Sequence, residues 1–227
     1  AVEGIADACR AFQVPVVSGN VSLYNEGPEA AVFPTPTVGM VGVLDKVEQA
    51  TTMGFKGQDH LVALVGVTKP ELGGSEYLAV VHGKEAGMPP ELILQHELDA
   101  QSFVLEAIKQ GMVASAHDCA EGGLAVTAAE SAIAGGIGCE IGVPLVERAD
   151  MTLFAESQSR ILLSFDPAHA DALTALAAQT GVPFDIIGVA GGDRVRICVD
   201  DQLLIDLPLS ECADAHRRPI YAAMGEE

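Results

Sequence analysis

Three short stretches of this 227-residue chain hold side chains whose types and spacing suit phosphate and metal chemistry. The first runs from Ser18 to Glu26 (SGNVSLYNE) and follows the β-branched run Val14 to Val17. That run reads as a short buried strand, and Ser18-Gly19-Asn20 as its break, since such residues tolerate positive φ or bond their own backbone. Gly19 has no Cβ, so its N–H could approach a phosphate closely. Asn20 offers an uncharged oxygen of the kind Mg²⁺ accepts when phosphates supply the negative charge. Ser22 can donate to a phosphate oxygen. On local chemistry alone, the same residues fit a hairpin turn whose polar groups face water.

The second stretch is Ser115 to Leu124 (SAHDCAEGGL), a strand end running into a helix start. Asp118 could hold Mg²⁺ there, and the amides around Gly122 and Gly123 could hold phosphate. Equally, Asp118 caps the helix and the two glycines let it pack closely on a sheet. The third stretch, Phe154 to Arg160 (FAESQSR), gathers Glu156, Ser157 and Gln158 ahead of a buried strand; alone, it fits a solvated strand end. Leu72 to Tyr77 (LGGSEY) reads as a helix start capped by Ser75, with no chemistry assigned.

Several absences narrow the field. The sequence has no G-x-x-x-x-G-K-[ST]; its Gly83-Lys84 pair is followed by Glu85, and no full G-x-G-x-x-G is present. No cysteine sits in a G-x-C-x-G turn, so no glutaminase or acyl-transfer site is expected. The five cysteines are widely spaced with no C-x-x-C pair, which suits a reduced, cytoplasmic protein. The six histidines lack metal-ligand spacing. Twelve basic against 32 acidic residues give a net charge of −20, which argues against nucleic acid or an anionic membrane as partner. A nucleotide remains possible, held by backbone amides, helix starts and Mg²⁺. No apolar run reaches the length of a membrane span, and no signal peptide is evident.

The elements that must position these residues can be read from periodicity. An opening helix carries Val2, Ile5, Cys9 and Phe12 on one face, with no cap ahead of it, as if cut from a longer protein. Val14 to Val17 and Thr37 to Leu44 read as strands either side of a proline-rich loop. A domain boundary is placed at the polar connection after Asp45, giving 1–46 and 47–227, although an ordinary surface turn fits that connection equally well. Beyond it, strands are expected at 60–67, 113–117, 138–143, 160–165, 184–190, 194–199 and 203–207. Helices are expected at 75–82, from Leu94 to about Gly111, 125–134, 167–180 and 208–217. Helices layered on a mixed sheet make the fold class α+β, or layered α/β.

Taken in order, SGNVSLYNE, PTPTVGMVGVL, LGGSEYL, AHDCAEGGLAV and LFAESQSR resemble the second half of the phosphoribosylformylglycinamidine synthase family, over nearly the whole chain. The wider aminoimidazole ribonucleotide synthetase-like superfamily also holds selenophosphate synthetase and thiamine-monophosphate kinase, in which the SGNVSLYNE string is not expected. The resemblance implies an aminoimidazole ribonucleotide synthetase-like C-terminal domain at 47–227. Ahead of it, 1–46 would be the tail of a barrel-forming N-terminal-type domain.

It also implies ATP with Mg²⁺, formylglycinamide ribonucleotide as substrate, and the rest of the synthase and a glutaminase subunit or domain as partners. By position, Gly19 resembles an ATP contact, Asn20 a Mg²⁺ ligand and Ser22 a substrate contact. His117, Asp118, Glu156, Ser157 and Gln158 match motifs that, in this half, would face an auxiliary nucleotide site. Cys119 and Ala120 depart from the Val-Ser or Val-Thr more common there. No catalytic base is assigned, because the histidines expected to act lie outside this stretch of the family. The alternatives are a non-catalytic nucleotide-binding scaffold that docks a glutaminase, or another synthetase or kinase of the superfamily.

Overall fold

The computed structural model describes residues 1–22, 24–33, 35–219 and 223–225. The chain divides into two compact units, Ala1–Val47 and Glu48–Glu227.

The first unit opens with helix α1, Val2–Phe12. It stops where Gln13 turns left-handed (φ 55°) and returns its N–H to the Arg10 carbonyl, a termination achieved without glycine. The strands expected at Val14–Val17 and Thr37–Leu44 do not form. Both segments lie outside any strand, and among the described residues the unit's pairing is the single bridge Glu26↔Ala31. The reason is physical: β-branched sequence favours extended backbone, but a strand exists only when a neighbour completes its ladder. Val17 is 92% exposed, and Val41 is 98% exposed.

The second unit is built on a seven-stranded mixed sheet. In chain order its strands are β1 (Leu61–Val65), β2 (Ser115–Asp118), β3 (Cys139–Val143), β4 (Ile161–Phe165), β5 (Phe184–Ala190), β6 (Arg194–Val199) and β7 (Gln202–Pro208). Across the sheet they run β2-β4-β1-β5-β3-β6-β7, antiparallel except for the parallel pair β3–β6. The helices are α2 (Glu76–His82), α3 (Leu94–Lys109), α4 (Gly123–Gly135), α5 (Ala149–Phe154), α6 (Ala170–Thr180) and α7 (Leu209–Arg217).

Burial explains the layering. In β1, Val62 and Leu64 join the core beneath α4, while Ala63 and Val65 join the core beneath α3 and α6. A strand buried on both faces needs no polar alternation, which is why Leu61–Val65 is continuously apolar. By contrast β3 alternates buried and exposed positions and β6 buried and half-buried ones, because helices cover only one of their faces. On the open face Arg196 pairs with Glu140 of β3 at 2.9 Å, and Arg194 bonds Asp206 of β7.

Every strand read from the sequence in this unit is present within a few residues. Helix α5 was not expected. Six residues give no periodicity to read, and its start at Arg148 has no side-chain cap. The helix expected from Pro167 begins as a 3₁₀ turn, Pro167–His169, with the Asp166 carboxylate accepting from the Ala168 amide at 2.8 Å.

Candidate functional site

In the first unit, Gly19, Asn20 and Ser22 lie in irregular, exposed backbone after α1. A Cβ built on Gly19 would meet no atom within 4 Å, so glycine is not required there by this unit's own packing. The Asn20 amide is open to solvent, as an oxygen ligand would have to be. Among the described residues no group of three or more His, Cys, Asp or Glu is placed to hold a metal ion.

In the second unit the two remaining stretches do come together. Glu156 Oε1 accepts from the Gly122 amide, which precedes α4, and from the Glu76 amide at the start of α2, both at 2.9 Å. Gly123 has φ +64°, and a Cβ there would collide with the Ala155 carbonyl oxygen. Close packing of α4 on the 153–155 segment is therefore what this glycine permits. Its own N–H bonds the Ala120 carbonyl at 3.1 Å. Asp118 is exposed at the end of β2.

Ser157 is buried and grips one residue twice. Its Oγ accepts from the Lys69 amide at 3.0 Å and donates to the Lys69 carbonyl at 3.2 Å. Beneath it lies Arg160, only 2% exposed. The guanidinium donates to the carbonyls of Ala155 and Ser157 and to Thr68 Oγ1. Burial pulls the Arg160 pKa below its usual value, with Cys119, Glu71 and Glu156 acting the other way. Burial likewise pushes the Cys119 thiol up, against the influence of Arg160. Arg160 and Thr68 were not singled out from sequence. A charged residue opening a buried strand was the available signal.

Two expected members stand apart. His117 faces α4, with Nδ1 3.2 Å from Ser131 Oγ and Nε2 3.5 Å from Glu130 Oε2. Gln158 bonds the Glu156 carbonyl and lines a separate cleft of about 280 Å³ with Lys69, Glu91, His96 and Asp99. That volume falls just below the roughly 300–1,000 Å³ usual for ligand pockets. Ser75 behaves as read from sequence, its Oγ accepting from the Leu78 amide at 3.3 Å.

Residues 58–200 match the family model described as AIR synthase related protein, C-terminal domain. The chain belongs to the AIR synthase related family. Residues 1–44 match the N-terminal domain model of the same family. Among curated proteins, the chain is 46% identical over 99% of its length to phosphoribosylformylglycinamidine synthase subunit PurL of Moorella thermoacetica. It is 47% identical over 98% of its length to the subunit of that name from Anaeromyxobacter dehalogenans. It spans about 31% of the first of these relatives and 30% of the second.

Among solved structures, T. maritima PurL complexed with FGAR matches 93% of this chain and 36% of its own, with a TM-score of 0.74 at 20% identity. The structure of PurLQS from Thermotoga maritima matches 74% of this chain and 28% of its own, with a TM-score of 0.60 at 16% identity. At such identities these structures establish the fold: a family member with a mixed sheet and packed helices.

Proposed function

We propose that this chain is the C-terminal portion of an ATP-dependent C–N ligase. The reaction converts formylglycinamide ribonucleotide and glutamine-derived ammonia to formylglycinamidine ribonucleotide, in cytoplasmic purine biosynthesis. The observation that carries the reading is the 46% identity to a synthase subunit across 99% of the chain. In this reading 1–46 is the tail of a barrel-forming domain and 47–227 the C-terminal-type domain that follows it.

Gly19 would contact ATP, Ser22 the ribonucleotide, and Asn20 would supply one oxygen ligand to Mg²⁺, a role its open amide suits. The cation's contribution is to neutralise phosphate charge. The chain's own part is positioning, since phosphoryl transfer depends on alignment and electrostatics more than on covalent help from the protein. ATP would activate the amide oxygen of the substrate, and ammonia would then displace phosphate. The ammonia would come from a glutaminase partner, consistent with the absence of a nucleophile-elbow cysteine in this sequence.

The test belongs to the complete synthase. Asn20→Ala is expected to lower turnover by about tenfold or more and to raise the Mg²⁺ concentration needed for half-maximal rate, as loss of a metal ligand should. Steady-state assays across a Mg²⁺ titration measure both, and an unchanged Mg²⁺ dependence would remove Asn20 from the site.

A further inference from the structure

A free helix start presents unsatisfied amides and partial positive charge, and so attracts anions. In the second unit two such starts, those of α2 and α4, converge on one oxygen of the chain itself. Glu156 Oε1 accepts from the Glu76 and Gly122 amides, each at 2.9 Å. The backbone carrying Glu156 is pinned on both sides. Arg160 holds the Ala155 and Ser157 carbonyls, Ser157 holds Lys69, and Gly123 lies against Ala155. The carboxylate can leave only by rotating its side chain.

Helix α2 is the opposite case. None of its described residues is buried, and Val80 and Val81 are exposed. It is held by the Ser75 cap, by Tyr77 stacked on Phe154 at 4.8 Å, and by the bond from Glu76 to Glu156. Few buried contacts and a dependence on polar ties mark an element that opens at low cost.

We propose that Glu156 is an internal latch, its carboxylate closing the Gly122 amide to phosphate and tying α2 to the start of α4. In this reading the Gly122 amide is occupied by the chain itself, and a nucleotide bound at the start of α4 would have to displace Glu156 from it. The proposal does not rest on the ligase reading. Its test probes only the second unit, so either can fail without the other.

Hydrogen exchange on the 227-residue chain decides it, with inorganic pyrophosphate and Mg²⁺ as probes, for the unaltered protein, Glu156→Ala and Glu156→Gln. Without Glu156 the Glu76 and Gly122 amides each lose a bond to a charged acceptor, so Glu156→Ala should speed both by about tenfold or more. Exchange at Ala63 and Leu163 in the core should not change. Glu156→Gln retains an acceptor without charge and should speed both amides by less. In the unaltered protein pyrophosphate should leave both rates unchanged. Slower Gly122 exchange on adding pyrophosphate to the unaltered protein would overturn the proposal, as would either amide keeping its rate in Glu156→Ala. Should core amides also exchange quickly in Glu156→Ala, the Glu156→Gln rates decide, and equality with the unaltered protein at either amide refutes the latch.

Discussion

Arg160 shows how a single charge can organise a site without touching a ligand. Its guanidinium satisfies two buried carbonyls and a half-buried hydroxyl. Removing it leaves those acceptors unpaired and opens a void. Arg160→Ala should therefore cost about 3 kcal/mol, measured as a lower urea midpoint with the slope retained. Cys139, buried in the α4-side core, gives a prediction in pH. Burial pushes its thiol up to about 12 from a reference near 9. The folded state holds that proton more tightly than the unfolded chain does. Its contribution is complete below the unfolded pKa and is lost as pH rises from about 9 toward 12. Urea unfolding between pH 8 and pH 10.5 should show this alkaline decline, and Cys139→Ala should flatten it. An equal decline in the variant would assign it to other groups.

At the scale of elements, what was legible in the sequence depended on whether an element carries its own reason to form. Helix α3 announces itself through Leu94, Leu98, Leu105 and Ile108, and the β6–β7 hairpin through its alternation and the Asp200-Asp201 turn, both residues at positive φ. Helix α5 carries no such signal. Val14–Val17 and Thr37–Leu44 carry the propensity but lack the partner that would make them strands. The candidate site divided in the same way. Glu156, Ser157, Asp118 and Gly122 were recognisable as residue types, but their use was not. That Glu156 serves two helix starts is a fact of tertiary placement, which no local spacing encodes. The start of α4 offers a direct check. Gly123→Ala would force a Cβ into a left-handed position already crowded by the Ala155 carbonyl, at a cost of about 2 kcal/mol or more. Thermal unfolding should show it as a drop in midpoint, whereas unchanged stability would mean that the 153–155 segment yields freely.

Across the whole chain, two surfaces of different character coexist. A net charge of −20 keeps molecules apart at long range, while the first unit exposes Val16, Val17, Val41 and Val43 on backbone that belongs to no strand. At short range such segments pair with any backbone that offers a complementary edge. Sedimentation velocity at physiological salt should show mass rising with concentration, and a chain carrying Val17→Lys and Val41→Lys should remain at 23.5 kDa. A single monomeric species for the unaltered chain at every concentration would contradict this. The order of the sheet carries a last consequence, for time rather than stability. Of its neighbouring strands, only β6 and β7 are also consecutive in the chain; every other pairing joins segments separated by at least one intervening strand. Closing such loops costs entropy before the ladder repays it, so the β6–β7 hairpin can form early and alone. The parallel seam between β3 and β6 must wait for the long connection between them to collapse. A refolding chain would thus hold a finished hairpin beside an unfinished sheet, with the backbone N–H and C=O groups along one edge of β6 unpaired until β3 docks.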